Sequence, residues 1–76
     1  MKVRDAMTRF PATCTPDTTL EAAARLMVSA DCGGIPVIGE LDEFPIGMIT
    51  DRDMVVRALA RGRGPDLHVR DCMTMP

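Results

Sequence analysis

Apolar residues recur along this chain with two different periods. Leu20, Ala23, Ala24 and Met27 fall three and four apart, the spacing of one face of an α-helix. Glu21 and Arg25 lie four apart on another face, where opposite charges pair. Thr18 and Glu21 have capping-box spacing, and Cys32-Gly33-Gly34 offers the glycines that a left-handed helix end favours, so a first helix is predicted from the Thr18 cap to about Ala30. Ile35-Pro36-Val37-Ile38 and Pro45-Ile46-Gly47-Met48-Ile49 are short apolar runs separated by the acidic Glu40-Leu41-Asp42-Glu43, and they read as a hairpin. Pro36 has no amide hydrogen, which assigns it to a strand start, an edge or a bulge. Upstream, Thr13-Cys14-Thr15 is β-prone and bounded by Pro11 and Pro16, predicting a first strand followed by a turn at Pro16-Asp17-Thr18. Downstream, Met54, Val55, Ala58 and Leu59 form a second helical stripe, predicting a helix from Asp51 to about Arg61. The order is β-α-β-β-α: an α+β domain with a three-stranded sheet and two helices on one face.

The last strand runs into the second helix through Gly47-Met48-Ile49-Thr50-Asp51-Arg52-Asp53. Thr50 and Asp53 again have capping-box spacing. A helix start reached from a strand is also a place where amides and the positive dipole end suit a phosphate. Both readings stand on the residues alone, and Thr18 with Glu21 shows the same spacing where no ligand is implied.

The chain also repeats itself. Residues 3–8 (V-R-D-A-M-T) return almost unchanged as residues 69–74 (V-R-D-C-M-T), and each copy is soon followed by a proline, Pro11 or Pro76. Such self-similarity marks a tandem unit: a leader over residues 1–12, one full domain over 13–64, and a linker with the opening of a second unit over 65–76. Arg57, Arg61 and Arg63 gather at the predicted end of the second helix, where cations complement the dipole on a solvated face. His68, in the linker, has no partner at metal-ligand spacing.

Composition narrows the function classes. Seventy-six residues, 46% hydrophobic but with two Phe and no Trp or Tyr, give a small core of aliphatic side chains and Met that gains from a partner chain. A net charge of -2 without stacking aromatics argues against nucleic acid or an anionic membrane as partner. Cys14, Cys32 and Cys72 are odd in number and widely spaced, so they suggest neither a disulfide framework nor a zinc site but buried thiols in a reducing, cytoplasmic setting. No apolar run approaches the roughly 20 residues of a membrane span, and no charged-then-apolar leader opens the chain. No nucleophile and base stand at recognisable spacing, so an enzyme is not expected.

The element order, the V-R-D-x-M-T leader, the I-P-V-I strand and the G-M-I-T-D-R-D-M junction together resemble a cystathionine-β-synthase (CBS) domain over essentially the whole chain. The resemblance implies an α/β CBS-type fold and a regulatory role. Such units usually occur in pairs, as a Bateman module that senses adenosyl ligands (AMP, ADP, ATP or S-adenosylmethionine) in clefts between them. It implies that Thr50 contacts phosphate or ribose and that Asp53 accepts hydrogen bonds from the ribose diol. Arg52 would offset the neighbouring carboxylates and reach a phosphate, with Thr13, Cys14, Ile35, Pro36 and Val37 across the cleft around the base. No cofactor or metal is required, an adenine nucleotide or S-adenosylmethionine being a regulatory ligand. A homodimer is expected to supply the missing half of the pair, and a ligand-free dimerisation or interaction module is the alternative.

Overall fold

The computed structural model describes residues 12–39, 41 and 44–75. The first leader copy, Pro11, Pro76 and the acidic residues Glu40, Asp42 and Glu43 lie outside the described residues. Leu20–Ala30 form helix α1, Gly34–Ile38 strand β1, Pro45–Thr50 strand β2 and Asp51–Arg57 helix α2, with 3-10 turns at Leu59–Arg61 and Val69–Asp71. The hairpin expected from the two apolar runs is present. β1 and β2 pair antiparallel with Gly34 opposite Thr50, Ile35 opposite Ile49 and Pro36 opposite Met48, and an irregularity falls between Val37 and Ile38.

The expected three-stranded sheet is not: the sheet has two strands, and Thr13-Cys14-Thr15 contributes one parallel bridge, Cys14 to Val37. The Cys14 amide donates to the Pro36 carbonyl at 3.0 Å, and the Ile38 amide donates to the Cys14 carbonyl at 2.8 Å. The next rung in one direction would need an amide hydrogen from Pro36, and in the other direction from Pro16. Neither proline has one, so the ladder ends after a single residue. On the opposite edge Thr74 makes a single antiparallel bridge to Met48.

α1 buries Leu20, Ala23 and Met27 as its spacing predicted, and Glu21 pairs with Arg25 at 3.7 Å on its exposed side. Its ends differ from expectation. Thr19, not Thr18, is the N-cap, its hydroxyl accepting from the Ala22 amide at 3.1 Å. Thr18 turns back to accept from the Thr15 amide at 3.0 Å. The C-cap is Asp31 at φ 53°, one residue before Cys32; aspartate tolerates this left-handed conformation better than most residues other than glycine, so the following glycines are not needed for it.

α2 is shorter than predicted and buries a different face. Ala58, at φ -121°, leaves helical geometry, and the chain tightens into the 3-10 turn that follows. Of the predicted stripe, Ala58 is 2% exposed and Met54 half-buried, while Val55 and Leu59 stay 54% and 66% exposed. The buried position inside the helix is Asp53, at 8%. Segment 65–74 also packs into the domain. The Leu20 amide donates to the Leu67 carbonyl at 2.8 Å and the Val69 amide to the Thr18 carbonyl at 2.7 Å. Arg70 forms an ion pair with Asp17. Val69, Cys72 and Met73 thereby join Ile35, Val37 and Ile49 in the core.

Candidate functional site

The β2–α2 junction is a closed hydrogen-bonded unit. The Asp53 amide donates to the Thr50 hydroxyl at 3.1 Å, and the Thr50 amide donates to Asp53 Oδ2 at 3.1 Å, which is the reciprocal cap that the spacing predicted. The two amides between them are also occupied: Asp51 N–H donates to the Gly33 carbonyl at 2.9 Å and Arg52 N–H to Asp51 Oδ1 at 2.7 Å. A phosphate seated here would therefore exchange with internal acceptors. The Asp53 carboxylate has further partners. The Thr74 hydroxyl donates to Oδ1 at 3.2 Å and lies 3.5 Å from Oδ2. Arg57 Nε stands 3.9 Å from Oδ1, while Arg57 Nη1 donates to the Cys72 and Met73 carbonyls at 3.4 and 3.2 Å. A charge this deeply buried persists because it is paired and hydrogen-bonded.

The eight predicted site residues fall into two groups. Thr50 and Asp53 are joined as described, with Arg52 exposed beside them. Thr13 and Cys14 lie along β1 next to Pro36 and Val37, and the Cys14 thiol donates to the Pro36 carbonyl at 3.8 Å. Strand pairing links the groups through Gly34 with Thr50 and Ile35 with Ile49. Ile35 and Val37 are fully buried in the core, so a ligand would meet their backbone and not their side chains. Two cavities, of about 260 and 450 Å3, open between α1 and the α2 side of the chain; the first is lined by Leu20, Ala24, Met54 and Leu59, the second by Met27, Val28, Asp31 and Asp51. Neither is lined by Thr50, Asp53 or the Cys14 group.

The thiols are set by burial. Desolvation pushes Cys14 up from the ordinary 9.0 to about 11. Cys72 is raised first by burial and then by the Asp71 and Asp53 carboxylates, against the pull of Arg57 and Arg61. Both are protonated at neutral pH and poor nucleophiles. Among the described residues, no three His, Cys, Asp or Glu side chains come together as a metal site. Thr74 and Arg57 are the junction residues that sequence reasoning missed as partners of Asp53. The i,i+4 spacing of Asp53 and Arg57 was a signal for one of them; nothing local pointed to Thr74, which lies 21 residues away.

A sequence model of the CBS domain matches residues 3–59. The chain belongs to the CBS domain family. It is 40% identical over 74 residues to the CBS domain-containing protein YhcV of Bacillus subtilis, covering 95% of this chain and 50% of that protein. This CBS chain thus spans about half the length of that relative. A crystal structure of Hypoxic Response Protein I with two coordinated zinc ions superposes with a TM-score of 0.75 at 36% identity, covering 96% of this chain and 61% of that one. A CBS domain protein from Pyrobaculum aerophilum, complexed with AMP, has a TM-score of 0.78 at 17% identity, covering 100% and 58%; at that identity the likeness speaks for the fold.

Proposed function

We propose that this CBS chain is one half of a regulatory pair. It would take an adenosyl ligand, AMP, ADP, ATP or S-adenosylmethionine, in a cleft at the β2–α2 junction and signal occupancy to an attached domain or partner. The observation that carries this reading is the reciprocal Thr50–Asp53 unit at the end of a strand whose neighbour presents Pro36 beside Cys14. Its roles divide by charge. A carboxylate repels phosphate but accepts well from two vicinal hydroxyls, which assigns Asp53 to the ribose, and Thr50, the helix-start amides and the exposed Arg52 to phosphate. Thr13, Cys14, Ile35, Pro36 and Val37 would border the base, the last three mainly through Pro36 and backbone. The same fold is found in a protein complexed with AMP. A second copy of the chain supplies the other half of the cleft in an approximately two-fold homodimer.

Calorimetric titration of AMP, ATP and S-adenosylmethionine, with Thr50→Ala and Asp53→Ala as controls, tests this. Saturable heat that both substitutions weaken is expected. No heat with any ligand, or binding unchanged in both variants, refutes it. A ligand-free assembly module is the second reading. It is favoured by the exposure of Val28 (81%), Val55 and Leu59 on the helical side and by the internal pairing of every amide from Thr50 to Asp53.

A further inference from the structure

The second leader copy is held on the junction by four residues of the first unit, Gly47, Met48, Asp53 and Arg57. Gly47 is needed for the close approach: a Cβ there would stand 2.6 Å from the Thr74 carbonyl oxygen and 3.0 Å from the end of the Met73 side chain. Met48 and Thr74 exchange both backbone hydrogen bonds, at 2.9 and 2.8 Å. Arg57 holds the Cys72 and Met73 carbonyls, and Asp53 holds the Thr74 hydroxyl. Upstream, the segment is anchored by Val69 and Cys72, both fully buried. Its end differs, since Thr74 is exposed and Met75 is 66% exposed. Gly47 and Asp53 of the junction therefore both serve this strap. Thr74 is exposed, and its hydroxyl stands within 3.5 Å of both oxygens of the buried Asp53.

We propose that Thr74 and the vicinal diol of a ligand compete for Asp53, so that occupancy frees the end of the strap. This rests on the reading of Asp53 as the ribose acceptor given above. The Thr50 amide occupies one position on Oδ2 from within the cap. A diol donating to both oxygens meets the Thr74 hydroxyl first, because that hydroxyl stands 3.2 Å from Oδ1 and 3.5 Å from Oδ2 of a side chain that is only 8% exposed. Removing the hydroxyl leaves the carboxylate short of a donor, which favours the ligand. Retaining the Met48 bridge alone leaves Thr74 as a single-residue contact at the end of the strap. Its loosening then reports occupancy at the end of the strap, residues 74–75.

The test uses the 76-residue chain and two variants of one position in two assays. Thr74→Val keeps the β-branched shape and removes the hydroxyl; Thr74→Ser keeps the hydroxyl. Calorimetry should give AMP binding about three- to tenfold tighter in Thr74→Val, the effect of one removed competing hydrogen bond. Thr74→Ser should match the parent chain, and 2′-deoxy-AMP, which lacks the diol, should gain nothing from Thr74→Val. Hydrogen exchange followed by NMR should show the Thr74 amide exchanging faster on AMP saturation, and in Thr74→Val without ligand, while the Val69 amide keeps its protection. Measurable AMP binding with equal affinity in the parent and Thr74→Val, an equal gain for 2′-deoxy-AMP, or a Thr74 amide unmoved by AMP overturns the competition and leaves the adenosyl reading standing. No binding of AMP, ATP or S-adenosylmethionine to the parent or either variant overturns both.

Discussion

At the scale of single residues, Asp53 does the most. It completes the α2 cap, accepts from Thr74 and faces Arg57 while only 8% exposed. Thr50→Ala removes one capping acceptor and should cost about 1 kcal/mol in chemical denaturation, with Thr50→Ser close to neutral. Asp53→Ala strips several partners at once and should cost more, roughly 2–3 kcal/mol. The thiols give a separate prediction. With Cys14 raised to about 11 and Cys72 raised in the same direction, the folded chain holds protons that the unfolded chain has released. Stability should therefore fall as pH climbs from about 9 toward 11, and not change through thiol ionisation below that window. Circular dichroism melts across pH 7–11 would show this, and Cys14→Ala would flatten part of the decline. In native protein the partly exposed Cys32 should react with a thiol reagent before Cys14 and Cys72.

At the scale of elements, prolines and a glycine set limits that hydrophobic pattern does not. Pro36 and Pro16 restrict the N-terminal strand to one bridge, and Gly47 leaves room for Thr74 on the other edge of the sheet. Gly47→Ala should force the strap off β2, because the clash is with backbone and not with the end of a flexible side chain alone. A loss of about 1–3 kcal/mol, with increased exchange at the Met48 and Thr74 amides, is expected. α1 was readable because its apolar stripe and its i,i+4 ion pair agree, while its caps fell at Thr19 and Asp31 and not where the Thr18 spacing and the glycines put them. α2 was half readable: its cap was explicit, but the buried face includes a charged residue. Apolar periodicity assigned Val55 and Leu59 to the interior in place of Asp53, because the partners that make Asp53 tolerable lie in another segment.

At the scale of the whole molecule, the exposed apolar residues and the half-length match to YhcV bear on assembly. Light scattering should find two chains per particle at micromolar concentration, and the melting temperature should rise with protein concentration, as mass action requires for a dimer. One chain per particle and a concentration-independent melt would refute the homodimer. No helix among the described residues is long and apolar enough to cross a membrane.

The sequence by itself determined the local units: the amphipathic α1, the hairpin, the Thr50–Asp53 cap and the repeated leader. The helical stripe, the cap and the two apolar runs of the hairpin are each encoded by residues within a few positions of one another, so propensity, spacing and hydrogen-bonding chemistry suffice, and the leader is read from the identity of its two copies. Tertiary structure decided that the first strand shrinks to a bridge, that Asp53 is buried, and that the second leader packs back against Gly47, Asp53 and Arg57. Those outcomes depend on contacts between residues 15 to 27 positions apart, whose pairing no local pattern specifies. The junction from Gly47 to Asp53 was therefore legible as a cap, and its role as the seat of the strap was not.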